Sequence, residues 1–224
     1  MRRRQRGDLN LWWRIGLLIV GLVGRLLFRL RYVGTERIPR TGPAIVAGNH
    51  VSALDGIAVA LATGERAHRM TRFLAAAEFF AKPQFGWALR SFRQIPLHRG
   101  RGDEGALDEA IRTLRSGALA GIFPEGRVNP HPEELQRGRS GLARLALPTG
   151  APVIPVGIWG TQDRWPREGL HLRRPWRPRV AVVYGEPIVP SGDPSDPTDV
   201  QAFTDRVMAA IAVQVRLARM ATRG

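Results

Sequence analysis

Residues 44–55 read AIVAGNHVSALD, and this stretch combines a strand, a sharp turn and the start of a helix. Its first four residues form an apolar run typical of a buried strand, and Gly48 permits the chain to turn at its end. Ser52 followed three residues later by Asp55 is the capping-box pattern of a helix N-terminus. The stretch therefore predicts a strand and a helix with His50 in the loop between them.

The alternation of short apolar runs with longer amphipathic runs continues along the chain. The predicted strands are residues 31–34, 44–47, 72–76, 94–97, 119–123, 153–159 and 180–184. Helical periodicity is clearest from Asp103 to just before Gly117, over residues 140–148 and over residues 198–220. This alternation predicts an α/β fold, a layered mixed sheet flanked by helices, with its chemistry in loops at strand ends.

The N-terminal part of the chain is both the most basic and the most apolar. Residues 1–40 hold ten arginines against one aspartate and one glutamate, a net charge of +8 within a formal +15 for the whole chain. The apolar run over residues 11–28 has tryptophans at one end and arginines around it, as a bilayer interface selects. At roughly 18 residues with three glycines, it favours a helix that lies on or dips into a membrane over a helix that crosses it.

We therefore expect residues 1–30 to form a basic amphipathic membrane-associating helix and residues 31–224 to form a single α/β domain. The rival interpretation of the N-terminus is a secretory signal, but no A-x-A-like cleavage site follows the apolar run. We expect a peripheral or monotopic protein at the cytoplasmic face of the cell membrane, with the anionic membrane surface as a partner.

Composition also excludes several kinds of site. A large positive charge indicates a phosphate-rich partner, but a nucleic-acid arm would not need the apolar run, so no nucleic-acid partner is expected. The chain has no cysteine, which excludes disulfides, thiolate metal sites and a thiol nucleophile. The five histidines show no ligand spacing, so no metal site and no cofactor are expected.

His50 and Asp55 are the candidate catalytic pair. On one regular helix, a separation of five residues would leave their side chains about 140° apart, so contact between them requires a helix to start in between. A neutral imidazole can take a proton from an attacking hydroxyl, while a carboxylate fixes its tautomer. From these two residues alone, the alternative of a helix cap beside an ordinary loop histidine stays open.

A second candidate segment lies about 70 residues later, where residues 119–129 read LAGIFPEGRVN. The predicted strand runs into a turn that leaves Glu125, Gly126 and Arg127 at a strand end, where glycine lets the main chain approach a ligand. Arg99 follows another short strand. If Arg99 and Arg127 converge, they would form a fork for a phosphate monoester.

In order and spacing, these segments resemble the four sequence blocks of the glycerolipid acyltransferase family, whose best-known members are the 1-acylglycerol-3-phosphate acyltransferases. The matched positions are, in block order, Asn49, His50, Ser52 and Asp55; Ile95 and Arg99; Phe123, Pro124, Glu125 and Gly126; and residues 153–158. Arg93 stands where the second block has glycine, and Arg127 stands where the third block has threonine.

The resemblance implies that His50 and Asp55 form the catalytic dyad and that Arg99, Glu125, Gly126 and Arg127 bind the acceptor. It implies transfer of a fatty acyl group, from acyl-CoA or acyl carrier protein as co-substrate, to the free hydroxyl of a lysophospholipid in phospholipid biosynthesis. The most direct expectation is 1-acylglycerol-3-phosphate as acceptor and phosphatidic acid as product. The two departures leave open a different lysolipid or glycolipid headgroup.

Two other classes of protein use some of the same features. Acyltransferases of the condensation or chloramphenicol type also pair a histidine with an aspartate that precedes a glycine, but they place three residues between the pair where this chain has four. A non-catalytic basic protein that coats membranes or binds nucleic acid would need only the arginines.

Overall fold

The computed structural model describes residues 11–98, 103–171 and 175–223. Its helices are α1 (Leu11–Leu27), α2 (Asp55–Ala62), α3 (Ala77–Ala81), α4 (Pro83–Ser91), α5 (Glu104–Arg115), α6 (Gly141–Thr149) and α7 (Pro197–Arg223). Its strands are β1 (Arg29–Val33), β2 (Ala44–Gly48), β3 (Thr71–Ala76), β4 (Ile95–Leu97), β5 (Leu119–Ile122), β6 (Val153–Trp159) and β7 (Arg179–Tyr184). Each of the seven predicted strands corresponds to one observed strand, with ends that differ by at most two residues.

The strands form one seven-stranded sheet in the order β1-β7-β6-β2-β5-β3-β4. Every neighbouring pair is parallel except β6 and β7, which are antiparallel. The predicted mixed sheet flanked by helices is therefore confirmed. Because β6, β2 and β5 are adjacent and parallel, the loops that follow them all leave from one edge of the sheet.

Helices cover both faces of the sheet, since alternate residues of a strand point to opposite sides. Ile45 and Ala47 of β2 belong to a core packed against α5, α6 and α7, whereas Ala44 and Val46 belong to a core packed against α2. All five residues of β2 are buried. A strand buried on both faces explains why residues 44–47 read as a continuous apolar run.

Helix α1 packs on the α2 face of the sheet through few of its side chains. Trp13, Gly21 and Gly24 are buried, and Gly64 approaches Leu17 so closely that a side chain at residue 64 would overlap with it. Most outward residues of α1 are apolar as well, with Arg14 and Arg25 as exposed exceptions; the apolar ones include Leu11, Trp12, Leu18, Ile19, Leu22 and Leu26. Within the described ranges, no helix has the length and apolar character needed to cross a bilayer.

The predicted membrane-associating helix over residues 1–30 is only partly described. Residues 1–10, which carry four of the arginines, lie outside the described residues. Leu11–Leu27 is helical as expected, and the chain then enters β1 at Arg29. Membrane association of this helix stays a prediction.

Candidate functional site

The candidate site lies in the loop that joins β2 to α2, at the carboxyl edge of the sheet. Asn49 fixes the start of this loop, because its amide donates to the carbonyl of Ile158 (3.0 Å) and accepts from the N–H of Ile158 (2.8 Å). The side chain thereby extends the pairing of β2 with β6 by one step beyond Gly48 and Val156. His50 is consequently the first residue free to leave the sheet.

The structure brings His50 and Asp55 into contact. Nδ1 of His50 lies 3.0 Å from Oδ2 of Asp55. The Asp55 side chain is fully buried, while that of His50 is 16% exposed. Because a carboxylate can only accept, we assign the proton to Nδ1, which leaves Nε2 as the nitrogen that can take a proton from a substrate.

Three further donors hold the Asp55 carboxylate in place. Oδ2 also accepts from the N–H groups of Val51 (2.7 Å) and Ser52 (2.8 Å), and Oδ1 accepts from the hydroxyl of Thr161 (2.6 Å). Thr161 is buried and lies two residues beyond β6. These donors engage both oxygens and so fix the direction in which Asp55 meets the imidazole.

The predicted capping box forms only in part: the Asp55 carboxylate accepts from the N–H of Ser52, as the pattern requires, but Ser52 is not at the N-cap. Helix α2 begins at Asp55 with Leu54 at the N-cap, and no side chain caps it. The Ser52 hydroxyl donates to the carbonyl of Trp165 (2.7 Å) and accepts from the N–H of Leu54 (3.1 Å), because the loop after β6 places that carbonyl beside it. Ser52 is fully buried, which disfavours a role as covalent nucleophile.

The imidazole of His50 stacks on the ring of Phe123, directly after β5. Its ring lies parallel to that of Phe123, with centroids 4.2 Å apart and planes at 8°, and Phe123 in turn stacks on Phe73. A phenyl face attracts a ring more strongly once that ring carries positive charge. The stack therefore suits a histidine that becomes an imidazolium during a reaction.

Glu125 lies beside the dyad, but its carboxylate faces the protein interior. Oε1 accepts from the N–H of His50 (2.8 Å), and Oε2 accepts from the amide of Asn129 (3.0 Å) and the N–H of Gln136 (3.2 Å). Burial raises the pKa of Glu125, and the N–H donors of His50 and Gln136 partly oppose that rise. Both carboxylate oxygens are thus engaged by donors from the chain itself.

The remaining predicted binding residues are placed differently. Gly126 has φ of 73°, a left-handed conformation that favours glycine, and a side chain there would overlap with Arg139. Arg127 is exposed, and its Nε donates to the side-chain oxygen of Gln136 (3.2 Å). Arg99 lies outside the described residues, so its predicted convergence with Arg127 stays a prediction.

Arg93, which replaces the glycine of the second block, has a left-handed main chain with φ of 50°. This position ends α4 just before β4, where glycine would adopt the same conformation at lower cost. The departure from the block therefore imposes local backbone strain.

A second histidine and aspartate pair has the same spacing as the dyad. Nδ1 of His98 lies 3.0 Å from Oδ2 of Asp103, and Asp103 also caps α5 by accepting from the N–H of Ala106. The His98 side chain is 77% exposed, whereas that of His50 is 16% exposed. Spacing alone therefore does not identify the site, and burial together with the surrounding donors does.

The sequence interpretation missed Thr161 and Asn129. Thr161 follows the strand that matches the fourth block, but it is separated from Asp55 by 106 positions, and no local pattern connects them. Asn129 stands four residues after Glu125 and could have been noticed as a polar residue in the same turn. Among the described residues, no group of three or more His, Cys, Asp or Glu side chains could hold a metal ion.

The arrangement can perform general base catalysis on a hydroxyl. A buried carboxylate orients a partly exposed imidazole, and the imidazole presents a basic nitrogen at a strand end. The same elements can return the proton to a leaving group. No covalent intermediate on the protein is needed for this chemistry.

Comparison with known proteins points the same way. A family model described as Acyltransferase matches residues 29–159, which is more than half of the chain. An uncharacterised protein of Mycobacterium tuberculosis is 36% identical over 149 residues, covering 62% of this chain and 39% of that protein. The N-acylphosphatidylethanolamine synthase of Arabidopsis thaliana is 31% identical over 160 residues, covering 65% of this chain and 56% of that protein.

A solved structure extends the similarity to most of the chain. The crystal structure of the 1-acyl-sn-glycerophosphate acyltransferase PlsC from Thermotoga maritima superposes with a TM-score of 0.67 at 26% identity. The match covers 95% of this chain and 83% of that one. By contrast, the chain spans less than two thirds of the length of either relative compared by sequence.

Proposed function

The chain belongs to the glycerolipid acyltransferase family, and we propose that it transfers a fatty acyl group from an acyl thioester to the free hydroxyl of a lysophospholipid. The observation that carries this proposal is the contact of His50 with the buried Asp55 carboxylate at a strand end. The contact lies within the segment that matches the family model. The likeness to a 1-acyl-sn-glycerophosphate acyltransferase favours 1-acylglycerol-3-phosphate as acceptor and phosphatidic acid as product.

The proposed reaction needs no acyl-enzyme. Nε2 of His50 takes the proton of the acceptor hydroxyl as that oxygen forms a bond to the thioester carbonyl carbon. The carbon–sulfur bond then breaks, and the imidazolium returns the proton to the thiolate of coenzyme A or of acyl carrier protein. Asp55 and the stack on Phe123 stabilise the imidazolium that exists between these two steps.

The acceptor's phosphate would bind on the basic side of the same loop cluster. Arg127 is exposed in the turn after β5, and Arg99 follows β4, which lies two strands away from β5 in the sheet. Arginine suits a phosphate monoester because its guanidinium offers two parallel N–H donors.

Membrane association through α1 is part of the same proposal. The outward face of α1 is mainly apolar, and its Trp12 packs edge to face with Trp87 of α4, which is itself 64% exposed. Indole rings at the end of an apolar helix face suit headgroup depth, and the arginines of residues 1–10 suit anionic lipid. Sedimentation with vesicles that contain anionic phospholipid, compared with neutral vesicles, tests the proposed membrane association.

A second candidate acceptor is a larger lipid headgroup. It is favoured by the similarity to an N-acylphosphatidylethanolamine synthase, and Arg127 in place of the threonine of the third block is a departure at the predicted acceptor site. The base chemistry would be the same for either acceptor. Mass spectrometry of the lipid products distinguishes the two candidates.

The test is acyl transfer by the purified chain to a panel of lysolipids, with labelled acyl-CoA and acyl carrier protein as donors. His50→Ala should lower turnover by about 10²- to 10⁴-fold, the range of a general base. His98→Ala is the matched control, because it removes a histidine with the same aspartate spacing at an exposed position. Full turnover by a folded His50→Ala protein would remove the dyad from the mechanism.

A further inference from the structure

The segment after β5 holds the main chain of His50 from both sides. The N–H of His50 donates to Oε1 of Glu125 (2.8 Å), and the carbonyl of His50 accepts from the N–H of Asn129 (2.6 Å). Glu125 and Asn129 are both buried. The position of the imidazole thus depends on this turn as well as on Asp55.

Asn129 is at the centre of these contacts, and its side chain is fully used. Nδ2 donates to Oε2 of Glu125 (3.0 Å) and to the carbonyl of Glu134 (2.6 Å). Oδ1 accepts from the N–H of His131 (2.9 Å) and from the side-chain amide of Gln136 (3.0 Å). An amide offers two donors and an oxygen with two lone pairs, so every position of Asn129 is satisfied.

The chemistry of this centre requires a donor at residue 129. Glu125 is desolvated, and its Oε2 receives only the amide of Asn129 and the N–H of Gln136 among the described residues. A neutral donor next to a buried carboxylate stabilises it, whereas a second carboxylate at the same distance would repel it. The network also reaches Arg127 through the side chain of Gln136.

We propose that Asn129 is a positioning residue that holds the main chain of His50 where the imidazole can reach the substrate hydroxyl. Its main-chain N–H contacts the carbonyl of His50, and its side chain fixes Glu125, which accepts from the N–H of His50. The effect on kcat expected from this inference rests on the proposed acyl transfer. The effect on the position of His50 does not, so the inference and the proposed function can fail separately. Glu125 then acts from behind the histidine and does not contact the acceptor.

The test is Asn129→Asp, which replaces the donor to Glu125 by a carboxylate of the same shape. When both carboxylates are ionised they repel each other, so His50 is displaced. At lower pH the pair takes up one proton and the donor is restored. We expect the kcat of the variant relative to wild type to rise about tenfold from about pH 9 to about pH 6.5, with KM changed much less.

Gln201→Glu on α7 is the matched control, because it also replaces an amide that donates to a carboxylate, here the exposed Asp205 of the same helix. Its relative activity should not change with pH. Asn129→Ala, which adds no charge, should lower kcat at all pH values. A pH-independent ratio for Asn129→Asp, or wild-type kcat in Asn129→Ala, would overturn the proposal.

A measurement without substrate separates this inference from the proposed function. In protein labelled with ¹⁵N at histidine, the ring signals of His50, assigned by their loss in His50→Gln, should shift in Asn129→Asp and move back as the pH is lowered. This shift is expected even if no acyl transfer is found. Ring signals that match wild type in both Asn129 variants would show that the residue does not position His50, whatever the activity.

Discussion

The hydroxyl of Thr161 offers a sharp test of how the dyad is held. Thr161→Val keeps the shape of the side chain and removes the donor that lies 2.6 Å from Oδ1 of Asp55. Both residues are buried, so water cannot replace the lost partner without rearrangement. Asp55 keeps its contacts with His50, Val51 and Ser52, all of which are on Oδ2. The variant therefore frees one oxygen and allows the carboxylate to rotate.

The expected size follows from the kind of bond that is lost. A hydrogen bond to a charged group contributes about 1.5–3 kcal/mol, and each 1.36 kcal/mol of activation free energy is tenfold in rate. If the misdirected carboxylate affects mainly the transition state, kcat should fall by about 10- to 150-fold with little change in KM. Thr161→Ser restores the hydroxyl and should recover most of the rate, at a cost of about 1 kcal/mol in stability for the missing methyl.

The assay is the initial rate of acyl transfer at saturating acceptor, with thermal melting as the check that each variant is folded. The Thr161→Ser variant should have a clearly higher kcat than Thr161→Val, although both substitutions alter packing at the same position. A Thr161→Val enzyme with kcat within twofold of wild type would refute the argument. Equal losses in Val and Ser would refute it as well, because the hydroxyl would then be irrelevant.

Three further predictions concern stability. Arg93→Gly should raise the free energy of unfolding by about 1 kcal/mol in denaturant titration, because glycine adopts the left-handed conformation at φ of 50° without strain, and an unchanged midpoint would contradict this. Gly157→Ala should destabilise the fold by at least about 2 kcal/mol, because its new methyl would overlap with the main chain of α7 at Gln214, while Gly141→Ala, which meets only ordinary contacts, should not. The pKa of Asp103 is lowered in the folded state, mainly because the carboxylate accepts from the N–H of His98. The ionised carboxylate therefore stabilises the fold above the unfolded pKa near 3.9, and this contribution is lost as the pH falls through the lower folded pKa. The difference in melting temperature between wild type and Asp103→Asn should accordingly shrink below about pH 4, and a difference that grows there would be inconsistent with it.

Most of the fold could be predicted because its signals are local. The seven apolar runs became seven strands, and the helical periodicity after Asp103 became α5, capped by that aspartate. Strand ends moved by a residue or two where pairing decided them; β1, for example, starts at Arg29 because Arg29 is in register with Arg179 of β7. The order of the strands could not be predicted in this way, since no local pattern states that β2 lies between β6 and β5.

The candidate site was predicted in part for the same reason. His50 and Asp55 are five residues apart, so a loop and a helix start suffice to bring them together, and the structure does so. The spacing is equally present in His98 and Asp103, where the histidine is exposed. What separates the two pairs is the set of long-range partners around the first, and those partners come from two other loops, after β5 and after β6.

The sequence by itself determined the elements, the pair of residues at the strand end and the blocks that resemble an acyltransferase, because each depends on residues close together in the chain. Only the tertiary structure decided that Thr161 completes the hold on Asp55, that Glu125 lies behind His50 and that Asn129 joins the loop after β5 to the loop of His50. The physical reason is the sheet order β6-β2-β5, which brings three loops from distant parts of the chain to one edge. Directional hydrogen bonds between buried groups form only once that edge exists.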